Sequence, residues 1–195
     1  LGDVYKRQKL EDFTSDMVAA GQCGEDVYYI QYADGSLLLR GTGATYDYAS
    51  DGKDSIFKKN LDIQSVTVSN GITKVGDYLF YRCENMTSVT LPSTLTQIGS
   101  HSMAQYDDYS EVVHGLWTLT IPPTVKIIDD YAFSHNAMTE LIVPSSVSTI
   151  GDYVFADCAA LKTVRVESSV IGSYMFAHCS ALDSLTISAN CKSIG

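Results

Sequence analysis

Ile150-Gly151-Asp152-Tyr153-Val154-Phe155 is one copy of a block that recurs along this chain of 195 residues. The other copies begin at residues 75, 98, 128 and 171, and a sixth starts with Ile194-Gly195. The glycine position falls at residues 76, 99, 129, 151, 172 and 195, so the repeat is 21 to 23 residues long except for one interval of 30. Such a period is typical of a solenoid in which successive copies stack and share one core.

A short segment of alternating apolar and polar residues precedes each block, and this pattern predicts a half-buried strand. The segments are Val66-Thr67-Val68, Val89-Thr90-Leu91, Leu119-Thr120-Ile121, Leu141-Ile142-Val143, Val164-Arg165-Val166 and Leu185-Thr186-Ile187. After the glycine position, Asp77, Asp130 and Asp152 suit the N-cap of a short helical or 3₁₀ corner. The sequence therefore predicts a repeat solenoid with a parallel β-ladder and short helical or 3₁₀ corners.

The repeat resembles the leucine-rich repeats of BspA-like bacterial surface antigens, also called the Treponema type. The resemblance is carried by Leu161-x-x-Val164-x-Val166 and by the spacing Ile150-Gly151-x-x-x-Phe155-x-x-Cys158, and it covers about residues 61–195. Asp129 departs from the pattern, since glycine is usual there. The resemblance implies a leucine-rich repeat fold in a bacterial cell-surface or secreted protein that contacts host or microbial partners.

Residues 21–60 are similar to the module that often precedes these repeats. Within them, residues 27–32 and 37–40 predict two strands joined by the turn Ala33-Asp34-Gly35-Ser36. The resulting β-hairpin is expected to cap the first copy of the solenoid. The repeat region itself is assigned to residues 61–195.

Both ends of the chain look artificial. Residues 3–8 resemble one reading frame of a transposase end sequence used to prepare sequencing libraries, so residues 1–20 are expected to be an artefactual or disordered leader of a metagenomic fragment. The sixth block stops after two residues, so the solenoid is expected to be truncated at its C-terminal end.

Composition and charge exclude several classes of function. The chain has 45% hydrophobic and 18% charged residues, which is a globular composition. The 23 acidic and 13 basic residues give a net charge of −10, which repels phosphate backbones and anionic lipid surfaces, so nucleic acid is not an expected partner. No apolar run approaches the length needed to span a bilayer, so direct membrane insertion of this fragment is not expected.

Catalytic and cofactor motifs are missing from the sequence. It has no Gly-x-Ser-x-Gly elbow, no His-Glu-x-x-His and no phosphate-binding Gly-x-x-x-x-Gly-Lys-Ser/Thr loop, so no enzymatic activity, catalytic residue or cofactor is expected. Zinc is not expected either, because no Cys-x-x-Cys pair is present. A repeat-position column of Arg82, His135, Asp157 and His178 could bring two imidazoles next to a carboxylate, but a freely varying exposed position explains it more simply.

Three cysteines share one phase of the repeat. Cys83, Cys158 and Cys179 each lie three residues after the phenylalanine of the block, and this constant offset predicts small buried thiols in the core. A disulfide between Cys158 and Cys179 on neighbouring copies is the alternative.

Two surfaces are candidates for binding. The outward face of the ladder presents Thr67, Thr90, Thr120, Ile142, Arg165 and Thr186, although threonine also favours strands and cross-strand pairs for stability alone. The seven-residue excess of the long interval lies within residues 105–115 and places Tyr106, Asp107, Asp108 and Tyr109 in a loop. Loops added to a solenoid often carry binding, and tyrosines beside carboxylates would suit a basic partner; a tolerated surface loop is the alternative.

Three hypotheses of function follow. The first is a non-enzymatic protein- or glycan-interaction module of the adhesion type on a bacterial cell-surface or extracellular protein, with a partner whose identity the sequence does not show. The second is a structural stalk or spacer. The third is an accessory domain of an enzyme whose catalytic part is missing from the fragment.

Overall fold

The computed structural model describes residues 15–49, 55–105 and 114–195. These residues form strands joined by turns, and no helix is found among them. The strands are β1 (Met17–Gln22), β2 (Gly24–Tyr32), β3 (Ser36–Thr45), β4 (Ser65–Val68), β5 (Ile72–Val75), β6 (Ser88–Thr90), β7 (Gln97–Ile98), β8 (Ile127–Ile128), β9 (Glu140–Val143), β10 (Thr149–Ile150), β11 (Thr163–Val166), β12 (Val170–Ile171), β13 (Ser184–Ile187) and β14 (Ser193–Ile194).

The N-terminal part is an antiparallel sheet that continues into the solenoid. Strands β1, β2 and β3 pair antiparallel, and β3 then pairs parallel with β4 through Leu37 and Val66. The β2–β3 turn is held by the Asp34 carboxylate, which accepts hydrogen bonds from the Ser36 amide at 2.9 Å and the Ser36 hydroxyl at 2.7 Å. Strand β1 begins at Met17, so residues 17–20 of the stretch expected as leader belong to this sheet.

The repeats stack through two parallel ladders. The front ladder contains the strands that precede each block: β4 and β6 in one group, then β9, β11 and β13 in another. The rear ladder contains the short strands at the start of each block, with β5, β7, β8 and β10 paired in unbroken order. Side chains that alternate inward along both ladders meet in one apolar core, which includes Leu141, Val143, Val164 and Val166.

The corners of the described residues are turns, so the predicted helical or 3₁₀ corners are not confirmed. Tyr78, Tyr131, Tyr153 and Tyr174 have φ angles of 54° to 57°, in the left-handed region that a right-handed helix cannot include. The amide of Tyr131 donates to the carbonyl of Asp152 in the next copy at 3.0 Å. The backbone at each corner therefore bonds mainly between copies.

The corner aspartates link copies and do not cap helices. The Asp130 carboxylate accepts a hydrogen bond from the amide of Asp152 at 2.8 Å, and the Asp152 carboxylate accepts one from the amide of Ser173 at 3.1 Å. Asp77 does the same for the amide of Ser100 at 2.9 Å. The N-cap prediction was right that each carboxylate accepts a hydrogen bond from a backbone amide. The amide, however, belongs to the next copy and not to the aspartate's own corner.

Candidate binding face and groove

The outward row of the front ladder is exposed where the alternation predicts it. Thr67 and Thr90 are register partners on β4 and β6. Ile142, Arg165 and Thr186 form a second row across β9, β11 and β13. All five side chains are exposed, because the neighbours of each along its strand point into the core or toward it.

The front ladder is interrupted between these two rows. The predicted strand Leu119-Thr120-Ile121 does not form, although Thr120 itself is exposed as expected. Trp117 donates its amide to the carbonyl of Thr87 at 3.1 Å, but within the described residues none of the amides of 118–121 donates to a neighbouring copy. Among the strands of the described residues, β9 consequently pairs with β11 alone.

A groove of about 410 Å³ occupies the interruption. Its two flanks are the segment 117–121 and the segment around β9. Buried Leu119, Ile121 and Leu141 contribute its apolar lining. Trp117 and Ile142 also line it, and their side chains are 64% and 56% exposed. Large apolar side chains this exposed are typical of contact surfaces when they occur together.

A buried amide positions the chain that leads into the groove. The Asn136 side chain donates to the carbonyls of Met103 at 2.9 Å and Phe133 at 3.0 Å, and its Oδ1 accepts the amide of Leu116 at 2.8 Å. Gly115 precedes this contact with a φ of 83°, and a Cβ there would collide with the Asn136 side chain. These contacts fix the backbone immediately before Trp117.

The groove is acidic. Glu140 is the one charged residue among those lining it, and it is exposed. The nearest cation of the outward row, Arg165, is held at 2.9 Å by Glu167 of its own strand. A smaller cavity of about 300 Å³ shares Trp117 and is lined by Glu84, which pairs with Arg82 at 3.3 Å.

The sequence patterns did not predict Trp117 and Asn136 as parts of this site. One signal was available: Trp117 is the single tryptophan of the chain, and it lies within the long interval, two residues after the expected loop at 105–115. The role of Asn136 had no such signal, because its partners lie on three different segments. The predicted loop residues Tyr106, Asp107, Asp108 and Tyr109 lie outside the described residues.

The cysteines are free thiols, as the repeat phase predicts. Buried Cys83 donates from Sγ to the carbonyl of Phe57 at 2.9 Å, and Cys179 to that of Phe155 at 3.2 Å. Burial raises the pKa of Cys83 to about 12 and that of Cys179 to about 11. These thiols are therefore protonated packing groups, and the alternative of a Cys158–Cys179 disulfide does not apply in this structure.

The histidine column contains one contact between imidazole and carboxylate. His135 Nε2 lies 3.7 Å from Asp157 Oδ2. Across residues 15–49, 55–105 and 114–195, no three His, Cys, Asp or Glu side chains are grouped so that they could hold a metal ion.

A search of the described residues for a helix long and apolar enough to cross a membrane finds none.

The geometry of stacked repeats agrees with comparisons to known proteins. The model of the BspA type leucine rich repeat region matches residues 51–113 and 108–195, so the chain belongs to this family, as the sequence pattern predicted. A comparison with proteins of curated function gives no match.

Two solved structures show the same fold. One is a leucine-rich repeat protein of T. pallidum, with a TM-score of 0.60, 20% identity, and coverage of 86% of this chain and 82% of that protein. The other is a leucine-rich repeat protein of Bacteroides ovatus, with a TM-score of 0.53, 17% identity, and coverage of 94% of this chain and 55% of that protein. At these identities the likeness concerns the fold.

Proposed function

We propose that this chain is a non-enzymatic protein-interaction module of a bacterial cell-surface or extracellular protein, and that it binds through the outward face of the front ladder. The observation that carries the proposal is the pair of exposed rows, Thr67 with Thr90 and Ile142 with Arg165 and Thr186, held in register by the ladder. Because the ladder fixes the backbone of these side chains, binding costs less conformational entropy than it would for a flexible segment.

The N-terminal sheet has a supporting role in this proposal. Strand β3 covers the first solenoid strand by pairing with β4, so the free edge passes to β1. We assign β1, β2 and β3 as a cap that protects the first copy from pairing with other chains.

The test compares two doubly substituted proteins of equal charge. Thr67→Glu with Thr186→Glu alters the outward rows, whereas Thr73→Glu with Thr149→Glu alters exposed positions of the rear ladder. The wild type and both variants are screened against a phage-displayed random peptide library and a glycan array. We expect selected peptides whose binding is lost in the front variant and kept in the rear variant.

Other outcomes contradict the proposal in distinct ways. Binding confined to the glycan array would replace a protein partner with a carbohydrate, which is the second part of the sequence-based hypothesis. Equal loss in both variants would place binding elsewhere. Selection of no ligand by the wild type would favour a structural stalk.

A further inference from the structure

We propose that the groove between residues 117–121 and β9 binds an extended peptide segment of another protein, which adds as a strand to the edge of β9 that is unpaired among the described residues. The segment alternates apolar side chains with others that include a lysine or arginine. This inference rests on the proposed function and gives that partner a chemical description.

Among residues 15–49, 55–105 and 114–195, one edge of β9 has no partner strand. Strand β9 pairs with β11 through Glu140 to Thr163 and Ile142 to Arg165, and its other edge faces the groove. On the opposite flank, the amides of 118–121 donate to no neighbouring copy within the described part of the chain. Unpaired backbone edges are templates for an added strand, whose main-chain hydrogen bonds supply affinity.

The rear ladder explains why the groove stays open. Behind the groove, Gln97, Ile127 and Thr149 remain in register on β7, β8 and β10, so the two copies are joined at the rear. At the front, the contacts of Asn136 and Gly115 fix the chain just before Trp117. The two flanks are thus joined by the rear ladder and by the contact between Leu116 and Asn136, which together fix the position of each flank beside the groove.

The residues that line the groove can contact alternate side chains of an added strand. Leu119 and Leu141 are 9% and 3% exposed and offer an apolar surface inside the groove. Trp117 and Ile142 stand exposed beside it. Because successive side chains of a strand point to opposite faces, one set of peptide side chains can contact the inner apolar surface while the next set contacts the exposed residues or solvent.

Charge selects a basic segment. Glu140 is the one charged residue among those that line the groove, and the whole chain carries a net charge of −10. Arg165 does not neutralise Glu140, since it pairs with Glu167. Charge complementarity therefore favours a lysine or arginine in the bound peptide and disfavours an acidic one.

The probe is a fluorescent, end-blocked peptide with the sequence of residues 162–166, Lys-Thr-Val-Arg-Val. This sequence is basic and alternates apolar residues, and its last four residues, Thr163–Val166, form the strand that pairs with the other edge of β9. We expect saturable binding by fluorescence anisotropy. A peptide N-methylated at alternate residues, which cannot donate the same main-chain hydrogen bonds, should bind at least about tenfold more weakly.

Protein variants locate the site. Trp117→Ala and Glu140→Lys should each weaken binding by about tenfold or more, as expected for contacts central to an interface. Asp183→Lys makes the same charge change at an exposed residue just before β13 and should have a much smaller effect. A peptide with both basic residues replaced by glutamate should regain affinity for the Glu140→Lys protein.

Four results would overturn the inference. The first is no saturable binding at about 1 mM peptide, and the second is equal binding of the N-methylated and unmodified peptides. The third is an equal loss of binding in the Glu140→Lys and Asp183→Lys proteins. The fourth is a concentration-dependent dimer that Trp117→Ala abolishes, because the occupant of the groove would then be a second copy of this chain. If library peptides lose binding in the Thr67→Glu, Thr186→Glu protein but not in Trp117→Ala or Glu140→Lys, the proposed function stands and the groove is not its site.

Discussion

His101 belongs to a column of stacked aromatic rings in which the other members are tyrosines. The column consists of Tyr78, His101, Tyr131, Tyr153 and Tyr174. His101 takes the place of tyrosine in the second copy, with its ring stacked 4.6 Å from Tyr78 and 4.7 Å from Tyr131. Its φ of 52° matches the left-handed corner of the other copies. Burial lowers the pKa of His101, with the nearby Asp130 carboxylate opposing the effect. The stack therefore favours the neutral imidazole.

Replacing His101 by tyrosine should remove a pH-dependent loss of stability. Because the folded pKa of His101 lies below its unfolded value of about 6.5, the unfolded chain takes up a proton first as the pH falls. The contribution of His101 to the free energy of unfolding is fully present above its unfolded pKa, and it is lost as the pH falls through the lower pKa of the folded state. In urea unfolding at several pH values from about 7.5 to 5.5, the advantage of His101→Tyr over the wild type should grow toward the acidic end.

Tyr153→Phe is the control for this experiment. It alters the same column without adding or removing a group that titrates in this range. Its difference from the wild type should stay constant with pH. An advantage of His101→Tyr that does not change with pH would contradict the assigned role of the imidazole.

The tyrosine column should also be more stabilising in its interior than at its end. Tyr131 stacks on His101 and, at 4.8 Å, on Tyr153, whereas Tyr174 stacks on Tyr153 and is 65% exposed. Both have positive φ, so backbone strain in the alanine variants cancels. Tyr131→Ala should lower the free energy of unfolding by about 2–4 kcal/mol and Tyr174→Ala by about 1 kcal/mol, as measured by urea denaturation. Equal losses would mean that the rings contribute little through stacking.

At the scale of elements, the segment leading to Trp117 decides the shape of the groove. The front ladder loses one strand there, while the rear ladder of the same copies continues. Asn136 joins Met103, Phe133 and Leu116 through its side-chain amide. A buried amide that satisfies several backbone groups is costly to disturb, because each freed group loses its partner without regaining water.

Gly115→Ala and Gly43→Ala separate crowding from backbone strain. The two glycines have φ angles of 83° and 87°, but a Cβ at Gly115 meets Asn136 whereas one at Gly43 meets nothing within 4 Å. Gly43→Ala should cost about 1 kcal/mol, the penalty of the left-handed backbone. Gly115→Ala should cost about 3 kcal/mol or more, since it also displaces the Asn136 contacts. Thermal and urea unfolding of both variants measures the difference, and similar losses would contradict the positioning role of Asn136.

At the scale of the whole molecule, stability should follow the pairing of the front ladder. Strand β11 is paired on both sides, by β9 and β13. Strand β13 is exposed along its length and, in the part of the chain that the structure describes, pairs with β11 alone. Residues 118–121 lie in the middle of the chain but make no ladder hydrogen bonds with other described residues. Local stability should therefore fall both at β13 and at this internal segment.

Amide hydrogen exchange should map this pattern in the 195-residue chain. We expect slow exchange at Val164 and Val166, and fast exchange at Leu185 and Ile187. Fast exchange at Leu119 distinguishes the structure from a regular ladder, in which that residue would be as protected as Leu141. Protection at Leu119 equal to that at Val164 would contradict the interruption of the ladder, and equal protection at Leu185 would contradict the dependence on pairing from both sides.

Much of the fold could be read from local patterns. Alternation along Val164-Arg165-Val166 predicted which side chains face the core, because the two-residue period of a strand is a property of its own backbone. The constant offset of Cys158 and Cys179 from the block's phenylalanine predicted buried thiols for a similar reason. The β2–β3 hairpin was predicted from its Asp-Gly turn. Each of these features depends on residues that are neighbours in the sequence or recur at the repeat period.

Only the tertiary structure determined the conformation of the corners and the site between copies. The pattern of aspartate before tyrosine suits a helix cap and a bridge to the next copy equally, and the choice depends on carbonyls supplied by that next copy, such as Asp152 for Tyr131. Similarly, Leu119-Thr120-Ile121 has the pattern of a strand, yet it does not pair. Whether a segment becomes a ladder strand depends on the distance to its neighbours, which the Asn136 contacts and the long interval set through residues far apart in the sequence.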